Sequence, residues 1–173
     1  MTTVRELGSH PSGARRYVVA RTGDVPEGGR LLVEVDGREV GIFNIGGKFY
    51  ALLNRCPHRA GPLCQGEVSR MVVASKVGEI TLDDRIILTC PWHAWEFDIR
   101  TGQSYWDPGK TKGRLFPVEV ESGEKVAREL ADHSAQWLPG PYVADVVQTS
   151  VEDDYVIVAM RPQVVRTETD AGL

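Results

Sequence analysis

The sequence predicts an all-β fold, an antiparallel sandwich or small barrel with one short helix. Three observations lead there. Apolar residues alternate with polar ones through Leu31, Val33 and Val35 and resume through Val40, Ile42 and Ile45, with Asp36-Gly37 between them. Short runs of β-forming residues recur along the chain and are separated by Gly, Pro and Asp turns. A helical apolar spacing occurs in one stretch, residues 124–137. Asp-Gly between two alternating runs is a strong hairpin signal, because both turn residues tolerate positive φ.

In chain order, residues 1–16 read as a loose arm that is polar and lacks the apolar stretch of a secretory leader. Strands begin at Tyr17. Gly46-Gly47 turns the chain into a strand over Lys48–Leu53. Met71–Ser75, Glu79–Leu82 and Ile86–Thr89 read as strands of an extended hairpin, and Val118–Glu121, Tyr142–Val147 and Tyr155–Met160 as later strands. From Glu124 to Trp137, Val126, Leu130 and Trp137 share one helix face, and Pro139-Gly140 stops the helix. Residues after Arg161 read as a disordered tail. No repeat or linker divides the chain, so one domain over residues 1–173 is expected.

Composition narrows the function. Hydrophobic residues make up 42%, an ordinary globular value, and the net charge of -4 argues against a nucleic-acid partner. No apolar run reaches the roughly 20 residues of a membrane helix. A cytoplasmic location is the default expectation. There are three cysteines, Cys56, Cys64 and Cys90, an odd number that argues against a disulfide framework. In a reducing compartment, cysteines beside histidines are better explained as metal ligands.

Two such arrangements occur: Cys56-Pro57-His58-Arg59 and Cys90-Pro91-Trp92-His93. Each is a short chelating loop, and its proline restricts the backbone. One thiolate and one imidazole per loop suit zinc, copper or iron–sulfur chemistry better than calcium or magnesium. Spacing by itself leaves structural zinc open as an alternative.

The flanking residues go further. Arg59, Gly61-Pro62-Leu63 and Trp95-Glu96-Phe97-Asp98 resemble both loops of the Rieske iron–sulfur family, over about residues 17–109 and the closing strands to Met160. The resemblance implies a [2Fe–2S] cluster with Cys56 and Cys90 on an inner iron and His58 and His93 on an outer one. It places the cluster-binding subdomain at about residues 54–109. Two ferric ions, two sulfides and two thiolates sum to zero charge, so reduction reaches -1 and is easier than at a four-thiolate cluster. The chain departs from the pattern in two places. Residues 59–89, between the loops, are about twice the family's usual spacer, and Ala94 stands where the family usually has Gly. Cys64 lacks the second cysteine with which respiratory members form a disulfide, because Trp92 occupies that place. It is expected to be a buried thiol. Trp92, Trp95 and Phe97 are expected to pack around the loops, Asp107-Pro108-Gly109 to form the family's third, covering loop, and Arg59 to help dock a partner.

The function implied is a ferredoxin that relays single electrons from a flavin-dependent reductase to a terminal oxygenase or other redox enzyme. A small subunit of a nitrite-reductase-like assembly is the alternative. A catalytic oxygenase subunit would also need a mononuclear iron on two histidines and a carboxylate. After cluster ligation only His10 and His133 remain, which argues against that reading. Respiratory members carry hydroxyl residues where this chain has Trp95 and Phe97, and hydrogen bonds from those hydroxyls to the cluster sulfurs raise the potential. A low potential is therefore expected here.

Overall fold

The computed structural model describes residues 4–9, 13–107, 109, 111–133 and 153–161. The expected strand Tyr142–Val147, the tail beyond Arg161, His10 and the helix end at Trp137 lie outside these residues. The strands are β1 (Arg5–Ser9), β2 (Arg15–Arg21), β3 (Arg30–Val35), β4 (Arg38–Ile45), β5 (Lys48–Leu53), β6 (Glu67–Lys76), β7 (Glu79–Thr89), β8 (Glu96–Asp98), β9 (Leu115–Phe116), β10 (Val118–Ser122) and β11 (Asp154–Met160). The helix α1 spans Gly123–His133.

The strands form three antiparallel sheets, in the orders β1-β2-β11-β10, β3-β4-β5-β9 and β6-β7-β8. The first two pack face to face over one core. Tyr17, Val19, Val156 and Val158 come from one sheet, and Val35, Val40, Ile42 and Ala51 from the other. The result is a sandwich and not a closed barrel. The alternation read from the sequence is the reason: each inward residue of β3 and β4 meets the opposite sheet, and Val40, Ile42 and Val35 are fully buried. Asp36 and Gly37 take φ of 51° and 69°, which closes the β3–β4 hairpin.

The N-terminal arm differs from expectation. Residues 5–9 are the edge strand β1, paired antiparallel to β2, which itself begins at Arg15. Leu7 is the one fully buried side chain of β1, and a bulge at Gly8 (φ 109°) interrupts the register. A single buried residue among polar ones leaves no period for sequence reading to detect. Leu7 packs with Val126 of α1, and Ile157 and Val18 complete that small cluster. Arg16 Nη1 donates to Glu129 at 2.7 Å and so ties β2 to the helix.

The third sheet, β6-β7-β8, spans residues 67–98. β6 and β7 form the long hairpin, closed by the turn at Val77-Gly78. At its base, Leu88 pairs with Val68 on one side and Phe97 of β8 on the other. This base lies between the two chelating loops. One loop follows β5 and the other joins β7 to β8.

Candidate metal centre

The first loop leaves β5 at Asn54. Asn54 Oδ1 accepts the Cys64 N–H at 2.7 Å, and its Nδ2 donates to Glu39 at 2.9 Å. The side chain therefore bridges the start and end of the loop to strand β4. Arg30 adds a brace from β3, donating to the carbonyls of Cys64 and Gly66. Gly66 lies so close to the end of β7 that a Cβ there would sit 1.8 Å from the Thr89 carbonyl oxygen. One residue later β7 gives way to Cys90, so this contact registers the two loops against each other.

The loops share one backbone turn. In the first, Cys56 N–H donates to Gly61 O at 2.8 Å and Ala60 N–H to Cys56 O at 2.8 Å. In the second, Cys90 N–H donates to Trp95 O at 2.8 Å and Ala94 N–H to Cys90 O at 3.0 Å. The fifth residue of each turn is left-handed, Ala60 at φ 59° and Ala94 at φ 55°. The second turn therefore closes with Ala94 where the sequence comparison favoured Gly. Ala accepts the strained φ because the two hydrogen bonds around it fix the turn.

Of the four expected side chains, the two thiols adjoin one another and so do the two imidazoles. Cys56 and Cys90 are buried, each 2% exposed. Burial pushes the Cys56 thiol up, the adjoining Cys90 thiol adds to the rise, and the backbone N–H groups of His58 and Arg59 oppose it. The imidazoles of His58 and His93 lie 4.8 Å apart and edge to face. His58 is half-buried and His93 is exposed. Burial, then His93 and Arg59, hold the His58 imidazole below its ordinary value. His58 Nδ1 is buried with no hydrogen-bond partner among the described residues. A buried ring nitrogen without a donor or acceptor is costly, and a bond to metal would satisfy it.

The donor set has the form of two pairs. Among the described residues no three His, Cys, Asp or Glu side chains converge as a single-ion site requires. A two-iron cluster asks for two ligands on each metal, whereas tetrahedral zinc asks for four around one point. The donor chemistry, two thiols and two imidazoles, suits a [2Fe–2S] group with two protein ligands on each iron.

Aromatic rings enclose the pairs. Trp95 stacks flat on His58, with centroids 4.5 Å apart and planes within 12°. Phe97 is fully buried behind it, 6.5 Å from Trp95. Trp92 crosses to the first loop and covers Gly61, where a Cβ would meet its ring at 2.9 Å. Its other face is open, with 59% of the residue exposed. Cys64 is fully buried, its Sγ 3.5 Å from the Leu52 carbonyl, and burial pushes its thiol up to about 12. It is a free thiol of the core. Tyr105 lies under the Arg85 guanidinium, 5.4 Å from its ring centre.

The expected third loop is described in part, since Pro108 is outside the described residues. Thr111 N–H donates to Asp107 O at 3.0 Å, and the chain then brings Lys112 and Arg114 beside His58. Those two cations, and Arg55, were not singled out from sequence. Arg55 adjoins Cys56, while Lys112 and Arg114 reach the site from a distant segment, and no local pattern distinguishes the three from ordinary surface charge. Asn54, Arg30 and Gly66 were missed as well, because their roles lie in hydrogen bonds and a close contact that only the folded chain forms.

A family model for the Rieske [2Fe-2S] domain matches residues 15–124. The 3-phenylpropionate/cinnamic acid dioxygenase ferredoxin subunit of Escherichia coli (strain K12) is 30% identical over 109 residues, which span 63% of this chain and 89% of that one. Its counterpart from Shigella boydii serotype 4 (strain Sb227) is 29% identical over the same shares. Among solved structures, the ferredoxin of carbazole 1,9a-dioxygenase from Nocardioides aromaticivorans IC177 aligns with 21% identity and a TM-score of 0.46, covering 84% of this chain and 96% of that chain.

Proposed function

The chain belongs to the Rieske [2Fe–2S] domain family, and from that premise we propose that it is the ferredoxin component of an oxygenase system. It takes single electrons from a flavin-dependent reductase and passes them to a terminal oxygenase. The family is one of [2Fe–2S] domains, and the curated relatives it matches are ferredoxin subunits of a dioxygenase. Cys56 and Cys90 are the thiolate ligands of one iron, and His58 and His93 the imidazole ligands of the other. The observation that carries the reading is the pairing of those side chains, two adjoining buried thiols and two adjacent imidazoles of which one is exposed.

When bound, the cluster supplies a one-electron redox couple. The protein's own residues do the rest. The backbone N–H groups of His58 and Arg59 stabilise negative charge on the Cys56 sulfur. Trp95 holds the His58 ring in one plane and excludes water from its face. Phe97 and Leu88 keep the thiol side dry. His93 is left at the surface, where a partner can approach. Phe97 has no hydroxyl to donate, which favours the low end of the family's range of roughly -150 to +300 mV. No described helix is long and apolar enough to cross a membrane. We place the protein in the cytoplasm, beside a soluble reductase.

The test is analytical. The purified protein should contain two irons and two acid-labile sulfides per chain and be brown-red. Replacing any of Cys56, His58, Cys90 or His93 by Ala should abolish both. A stable, colourless protein that holds one zinc and no sulfide overturns the reading.

A further inference from the structure

Four cationic side chains, Arg55, Arg59, Lys112 and Arg114, line one cleft with His58. All four are exposed. No carboxylate lines that cleft, and among the described residues no ion pair is found for any of the four. The first acidic side chain in the adjoining cleft is Glu39, which is engaged by Asn54. The chain as a whole carries a net charge of -4. The positive field beside His58 therefore runs against the charge of the molecule. Uncompensated like charges repel one another, so the cluster costs stability and calls for a use.

Resting on the ferredoxin reading above, we propose that this cleft is the dock for a carboxylate-rich face of the redox partner. The four cations come from both sides of the site. Arg55 and Arg59 flank the first loop, and Lys112 and Arg114 follow the 107–111 turn. They rim the cleft at the half-buried His58 imidazole and attract an acidic surface to it in one orientation. A small-anion site would instead bring buried polar donors to a point. Here the charged groups are long, exposed and spread around an open cleft, which suits a protein face. Contacts of this kind are weak, and their charges act mainly on the encounter rate, by about 10- to 1,000-fold at low salt.

The sign of the salt dependence tests the dock on the holoprotein. Ferricyanide, a trianion, takes one electron from the reduced protein and becomes ferrocyanide; cobalt tris(phenanthroline), a trication of cobalt(III), takes one and becomes cobalt(II). If the local field governs, ferricyanide oxidation slows as salt rises and the cobalt reaction quickens. If the net charge of -4 governs, both trends reverse, and the proposal fails. The double variant Arg55→Glu/Lys112→Glu should slow ferricyanide oxidation about tenfold at low salt and reverse its salt slope. Lys76→Glu/Arg128→Glu makes the same change in net charge away from the cleft and should leave the slope's sign unchanged. Poly-aspartate, a mimic of an acidic face, should slow ferricyanide oxidation of the unaltered protein at low salt and have no effect on the first double variant. Equal inhibition of both proteins overturns the dock. A preparation without the brown-red chromophore cannot be reduced at all, so failure of the ferredoxin reading is distinct from failure of the dock.

Discussion

Cys56–Gly61 and Cys90–Trp95 fold into the same turn, hydrogen bond for hydrogen bond, and yet they present their histidines differently. His58 stands two residues after its cysteine and His93 three after. That one-residue offset, on a common backbone, leaves His58 half-buried against Trp95 and His93 exposed. The surroundings differ in kind as well. The first loop is braced by polar groups, Asn54 and Arg30. The second is braced by its own aromatic residues, Trp92, Trp95 and Phe97. The comparison teaches that the chelating turn and the exposure of each imidazole are separable. Backbone hydrogen bonds set the first, and neighbouring side chains set the second.

The largest effect should come from breaking the register between the loops. In Gly66→Ala the new methyl meets the Thr89 carbonyl, which cannot move without displacing Cys90. A loss of roughly 3 kcal/mol in chemical denaturation is expected. Gly61→Ala meets the Trp92 ring, which is largely exposed and free to shift, so its cost should stay below about 1 kcal/mol. If the two variants prove equally stable, Gly66 does not couple the loops.

A second comparison uses the left-handed alanines. Ala at positive φ costs about 1–2 kcal/mol relative to Gly, and Gly's greater freedom in the unfolded chain returns about 0.4–1 of that. Ala60→Gly and Ala94→Gly should therefore each raise stability, by about 0.5 kcal/mol, and by similar amounts. Thermal melts that show a gain in one loop and a loss in the other would mean that the turns are not equivalent.

The potential depends on the second loop. Phe97→Tyr would add a hydroxyl to a fully buried ring in the cluster that also holds both cysteines. A new hydrogen bond to sulfur of about 1 kcal/mol corresponds to roughly +40 mV for one electron. Tyr105 is the other nearby phenol, and Arg85 engages its hydroxyl. Voltammetry that finds the midpoint unchanged or lowered would place the Phe97 ring edge away from the sulfurs.

The smallest effect concerns the third thiol. Cys64 is pushed up to about 12 by burial, so at pH 8 it is almost wholly protonated. Iodoacetamide at that pH should leave it unlabelled in the native protein and label it in denaturant, as mass spectrometry would show. A group with a raised folded value stabilises the fold below its ordinary value, near 9, and loses that contribution as pH climbs from there towards 12. Cys64→Ala should flatten that alkaline decline. Rapid native labelling would place Cys64 at the surface.

The chain's short-range chemistry was enough for the β3–β4 hairpin, the long hairpin between the loops and the two Cys-Pro turns that carry His58 and His93. Each depends on residues a few positions apart: turn residues with positive φ, alternating faces, and chelating pairs closed by a proline. Strand β1 escaped because an edge strand with one buried side chain has no readable period. The tertiary structure decided the remainder. It stacked Trp95 on His58, set Gly66 against Thr89, and gathered Arg55 and Arg59 with Lys112 and Arg114 around one imidazole. Those contacts join segments tens of residues apart. Their existence depends on how the sheets pack, which no local pattern encodes.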